Sequence, residues 1–161
     1  MGRHSPIVRS VETVVVRSRS QAETEALGGR VAEQLEVGDV VGVAGDLGAG
    51  KTTFVRGAAR ALGVTSPVSS PTFTIGHHYQ GSVPVAHLDL YRLDGIGEEG
   101  WADLEAYFDG TIAFVEWPER AGGWLPTVRA TVTMSHLDET SRCIRIAGGS
   151  TKIHPDDDLR L

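Results

Sequence analysis

Residues 45–52, GDLGAGKT, set glycines at 45, 48 and 50 ahead of Lys51 and Thr52. The apolar run DVVGVAG leads into this loop and KTTFVRGAARAL leads out of it, up to Gly63. A short apolar strand, a glycine turn and a helix in that order describe a phosphate-cradling loop in the structural context such a loop needs. The remaining elements must be arranged around it. This sequence order predicts an α/β P-loop NTPase sandwich, a mixed sheet with parallel core strands and antiparallel edge strands.

The flanking elements follow from local patterns. Residues 11–17, VETVVVR, are β-branched and read as a strand. Ser20 and Glu23 form a capping pattern, and Leu27, Val31 and Leu35 recur at helical spacing, which predicts a helix over 20–36. Residues 65–79 begin as a Ser/Pro loop and turn β-like from Phe73 onward, and 83–91 form a strand. A helix over 98–110 closes at Gly110, and TIAFVEW is a buried strand. The segments 127–136 and 141–147 pair as a hairpin with DET at its turn.

Triphosphate chemistry explains the loop. Gly45, Asp46, Leu47, Gly48, Ala49, Gly50, Lys51, Thr52 and Thr53 would wrap the phosphates, with the helix start adding its positive dipole end. Lys51 would reach the β- and γ-phosphates, and the Thr52 hydroxyl would coordinate Mg²⁺. A second acidic group belongs near that metal. Asp89, in HLDLYR, and Glu116, after the run IAFV, both stand at strand ends. One would order Mg²⁺ and its waters while the other orients the attacking water, in either assignment.

Absences narrow the substrate. Guanine readers use an N-K-x-D loop, and the chain has no asparagine, so ATP is the expected nucleotide. A small-molecule kinase would carry a lid with several arginines, where WPERAGGWLP offers Arg120 alone. His77, His78 and His87 read as incidental, because oxygen ligands suit Mg²⁺ better. The net charge of −6 argues against a surface that grips nucleic acid by itself. A single cysteine, Cys143, excludes an internal disulfide and a Cys-based zinc site.

With 161 residues the chain reads as a single ATPase domain over 1–161, with a polar tail at 155–161. No apolar run is long enough for a membrane helix, so a cytoplasmic protein with no membrane contact is expected.

GDLGAGKTTFVRGAARALG, SSPTFTI, HLDLYRL and VEWPER, in order over 45–120, resemble the bacterial TsaE family, formerly YjeE. The likeness continues weakly upstream through ETEALGGRVA. The resemblance implies an Mg²⁺-dependent ATPase subunit, weak alone, that joins a TsaB–TsaD pair making N6-threonylcarbamoyladenosine at position 37 of tRNAs that read codons beginning with A. The tRNA would be held through the partners. It further implies that Lys51, Asp89 and Glu116 are catalytic and that Thr52, Glu116 and Asp89 surround the metal. Thr72 would sense the γ-phosphate, Trp117 would stand beside the site, and Thr24 and Arg142 would flank adenine. A small-molecule P-loop kinase and a nucleotide-dependent adaptor without essential turnover are the competing readings.

Overall fold

The computed structural model describes residues 12–71 and 74–148. β1 (Glu12–Ser18) leads into α1 (Gln21–Ala32), whose start is fixed by local chemistry. Ser20 accepts the Glu23 N–H at 3.1 Å, and the Glu23 carboxylate accepts the Arg19 N–H. The glycine loop joins β2 (Val40–Gly45) to α2 (Lys51–Ala61). There follow β3 (Gly76–Gln80), β4 (Pro84–Asp89), α3 (Glu98–Glu105), β5 (Ile112–Glu116), β6 (Ala130–His136) and β7 (Arg142–Gly148). Short 3₁₀ segments cover Ala106–Phe108 and Pro118–Trp124.

The seven strands form one sheet in the order β1-β7-β6-β2-β5-β4-β3. β2 runs parallel to both β5 and β6, and β4 runs parallel to β5. The outer pairs β1–β7, β6–β7 and β3–β4 are antiparallel. The expected division into parallel core and antiparallel edges is therefore present, with the loop-bearing strand at the centre.

Strand alternation divides the core into two layers. Val14, Val41, Val43, Phe114, Val132 and Ile144 face α1 and α2, while Val40, Ala86, Leu88, Ala113 and Val115 face α3 and the 3₁₀ segments. Beyond β6 no helix among the described residues covers that second face, and Val15 on β1 is half exposed there. On the helix side, α1 and α2 touch backbone to backbone. A Cβ on Gly57 would overlap the Glu25 carbonyl, and one on Gly28 would overlap that of Phe54.

β6 starts at Ala130 instead of 127, and three further boundaries differ from expectation for local reasons. α1 stops at Ala32 instead of 36, and the chain turns at 33–39, where Asp39 accepts the Glu36 N–H. Leu35 still packs on the core from that turn, so its spacing imitates one more helical step. α3 ends at Glu105 and tightens to a 3₁₀ turn at 106–108, pinned by the Thr111 hydroxyl on the Tyr107 carbonyl at 2.6 Å. β4 ends at Asp89, because the Asp89 carboxylate accepts the Tyr91 N–H and the Leu93 N–H bonds the Leu90 carbonyl, which turns the chain out of the sheet. Thr72, Phe73 and the 155–161 tail lie outside the described residues. No helix among the described residues is long and apolar enough to cross a membrane.

Candidate functional site

The loop leaves β2 through Gly45, whose φ is 138° and where a Cβ would overlap the Met134 carbonyl of β6. Only glycine lets the chain turn so close to a neighbouring strand. The loop tip, Asp46 to Gly48, is exposed, whereas Ala49 is buried. Gly50, at φ 98°, then turns the chain into α2, which starts without a side-chain cap. Its first N–H groups, at Lys51, Thr52 and Thr53, stay available to an anion.

Lys51 is 5% exposed. Its Nζ donates to the carbonyls of Gly45 at 3.0 Å and Asp46 at 2.7 Å, and lies 4.3 Å from the centre of the Trp117 ring. Burial pushes its pKa below the ordinary lysine value, against the upward pull of Glu116, Asp89, Glu119 and Asp46. An ammonium stripped of water in this way has much to gain from an anionic oxygen.

The two carboxylates arrive by strand alternation. Ile112, Phe114 and Glu116 on β5, and Val85, His87 and Asp89 on β4, occupy the sheet face toward α2. Parallel register sets Asp89 beside Glu116. Glu116 is buried, and the Thr52 hydroxyl lies 3.1 and 3.0 Å from its two oxygens. Asp89 accepts the Ser70 hydroxyl at 2.8 Å and the Tyr91 N–H at 3.0 Å. These groups, with Lys51 and Trp117, line a cavity of 610 Å³.

Trp117 has the only positive φ outside glycine among the described residues, 57°. That backbone costs about 1–2 kcal/mol and must be held by its surroundings. Its N–H bonds the Val43 carbonyl at 3.2 Å, its ring lies 5.0 Å from Tyr91, and the Arg120 guanidinium stands 6.0 Å above it.

A second cavity of 430 Å³ opens on the other side of the loop. Thr24, Ala49, Thr53 and Arg142 line it, so α1, the loop and the β6–β7 turn meet there. The Thr24 hydroxyl is spent on Ser18 at 2.7 Å, which leaves its methyl group and backbone as the surface on offer. Arg142 donates to the carbonyls of Asp138, Glu139 and Ser141 and so braces the turn. Of the residues anticipated from sequence, those of the loop, Asp89, Glu116, Trp117, Thr24 and Arg142 come together around these two cavities, and Thr72 is outside the described residues.

Two neighbours of the carboxylates had no such role in the sequence reading. Ser70 bonds Asp89, as described. His87, read from sequence as incidental, is fully buried with Nε2 2.5 Å from Glu116 Oε2. The one sequence signal for it was a polar residue at an inward position of an apolar strand, two before Asp89.

The family profile described as "Threonylcarbamoyl adenosine biosynthesis protein TsaE" matches residues 18–144. Curated proteins named tRNA threonylcarbamoyladenosine biosynthesis protein TsaE are similar to this chain. The one from Synechocystis sp. is 46% identical over 103 residues, which span 60% of this chain and 65% of that protein. The one from Bacillus subtilis is 38% identical over 128 residues, 78% of this chain and 80% of the relative. A solved structure, the crystal structure of Bacillus subtilis YdiB, superimposes with a TM-score of 0.72 at 34% identity, over 87% of this chain and 88% of that one.

Proposed function

The chain belongs to the TsaE family of threonylcarbamoyladenosine biosynthesis proteins, and from that premise we propose that it is the subunit that binds and hydrolyses ATP for the modification of adenosine 37 in tRNA. The observation that carries this reading is the contact of Thr52 with both Glu116 oxygens, beside the water-stripped ammonium of Lys51.

The donor set fits Mg²⁺. Thr52, Glu116 and Asp89 offer hard oxygens, whereas the buried His87 spends its Nε2 on Glu116. Bound Mg²⁺ would neutralise charge on the β- and γ-phosphates and order water. Thr52 and Glu116 would hold it, because they already meet at the start of α2. Lys51 would exchange its two carbonyl partners for phosphate oxygens. Asp89, on the cavity wall with Ser70 and Tyr91, would orient the water that attacks the γ-phosphorus and accept its proton as the bond to ADP breaks. Thr24 and Arg142 would flank the base in the second cavity. So few groups predict a slow enzyme alone. TsaB and TsaD are the proposed partners, TsaD performing the transfer and the pair holding tRNA.

The test is ATP hydrolysis with Mg²⁺, alone and with a TsaB–TsaD pair from the same source. A partner-dependent rise is the expected result. No rise despite ATP binding would overturn the assignment, and phosphate appearing on an added acceptor would indicate a kinase. Lys51→Ala is expected to weaken ATP binding about 30- to 100-fold, as loss of a charge-assisted contact would, measurable by calorimetry. Asp89→Ala is expected to keep ATP affinity within about threefold while losing roughly 100-fold in turnover. If that variant still supports full tRNA modification, the protein is an adaptor and its turnover is dispensable.

A further inference from the structure

Behind Glu116 stands a buried group to which the proposed hydrolysis assigns no task. His87 sits in mid-β4, fully buried, with Nε2 2.5 Å from Glu116 Oε2. Its Nδ1 is also buried and has no hydrogen-bond partner among the described residues. We propose that His87 is a positioning residue, a fixed Nε2–H donor that locks the Glu116 carboxylate against Thr52, its partner in the metal site proposed above. The inference rests on the hydrolysis reading above.

The partnerless Nδ1 decides between the two neutral tautomers of His87. A proton on Nδ1 would be a buried donor with nothing to receive it, whereas a bare Nδ1 leaves only a lone pair unmatched. The arrangement with less to lose places the proton on Nε2, aimed at a carboxylate, as a charge-assisted bond. Glu116 then accepts from both sides, from His87 below and from Thr52 above. Oε2 is shared between the two donors, while Oε1 has Thr52 alone, so Oε1 keeps the freer lone pairs toward the cavity.

Asp89 is supported differently. Its partners are the Ser70 hydroxyl, from the loop after α2, and the Tyr91 N–H, from the turn that follows β4. Both supports lie outside the sheet. Glu116 is therefore fixed by two regular elements, and Asp89 by loop groups whose positions can follow the loop. A fixed carboxylate suits a metal that tolerates little distortion, and an adjustable one suits a water molecule.

The experiment compares His87→Leu, which fills the volume without a donor, with His87→Gln, which returns an amide N–H to the same reach. Nitrogen-15 NMR of histidine-labelled full-length protein is run without nucleotide, together with Glu116→Gln as a control. The wild type is expected to show His87 protonated at Nε2, with a resonance that moves in Glu116→Gln. His87→Leu is expected to lower kcat for ATP about 10- to 100-fold, with ATP affinity within about threefold, and His87→Gln to recover most of it. A proton on Nδ1, an unchanged kcat in His87→Leu, or a glutamine no better than leucine would overturn the proposal. Should the leucine variant fail to fold, the NMR and the glutamine variant still decide. If the wild type hydrolyses no ATP, the functional reading fails, while the resonance independently reports whether His87 holds Glu116.

Discussion

Glu116→Gln is expected to lower ATP turnover by two to three orders of magnitude while changing ATP affinity less than about threefold, a loss of roughly 3–4 kcal/mol confined to the transition state. The substitution keeps the shape of a side chain packed at the end of β5 and retains one oxygen for the Thr52 hydroxyl. What it removes is the negative charge, together with the second acceptor that Thr52 and His87 now share. ATP itself would still find Lys51, the glycine loop and the start of α2. Paired measurement of turnover and calorimetric binding separates the two quantities. Turnover within threefold of wild type would remove Glu116 from the chemistry and shift the metal role to Asp89.

The second large effect concerns stability. Gly57→Ala is expected to destabilise the fold by about 3 kcal/mol, a fall in Tm of roughly 6–12 °C for a chain of this size. Helix propensity alone gives the opposite sign, since alanine improves a helix interior by about 1 kcal/mol over glycine. The reversal comes from packing. The added methyl would overlap the carbonyl oxygen of Glu25, which is main chain of α1 and cannot rotate aside. Separating the two helices would also pull Glu25 from Arg60, 2.9 Å away, a partly exposed pair of minor energetic weight. The greater consequence is that α1 carries Thr24 to the cavity beside the loop. Thermal unfolding by circular dichroism checks the effect, and a Tm equal to or above wild type would show that α1 and α2 tolerate a wider gap.

The central strands and the loop were legible in the sequence because their constraints are local. A run such as DVVGVAG has no alternative use in so short a span, and Gly45, Gly50, Lys51 and Thr52 are close neighbours in the chain. The ends of α1 and α3 were less legible, since apolar spacing continues into turns where Leu35 and Phe108 still meet the core. Asp89 and Glu116 could be picked out as strand ends, but the division of labour proposed for them could not be read there. It depends on contacts between residues 52 and 116, and between 70 and 89, that exist only once the sheet has aligned its strands. His87 was the hardest to read. An apolar strand marks its position as interior, and nothing local announces that its partner lies 29 residues away.

The pairing of β1 with β7, Val14 opposite Ile146, governs when this molecule can become whole. On the ribosome β1 emerges before any other strand described here, yet it has no edge to join until β7 has been made. The loop, α2 and β5 can assemble around β2 well before that moment, because their contacts span shorter stretches of chain. The wall of the second cavity that contains Arg142 is completed only at the final closure, which also brings β1 into the sheet. A chain closed in this order would carry its glycine loop in place before that flank was complete, with β1, the earliest of the described strands, the last to pair.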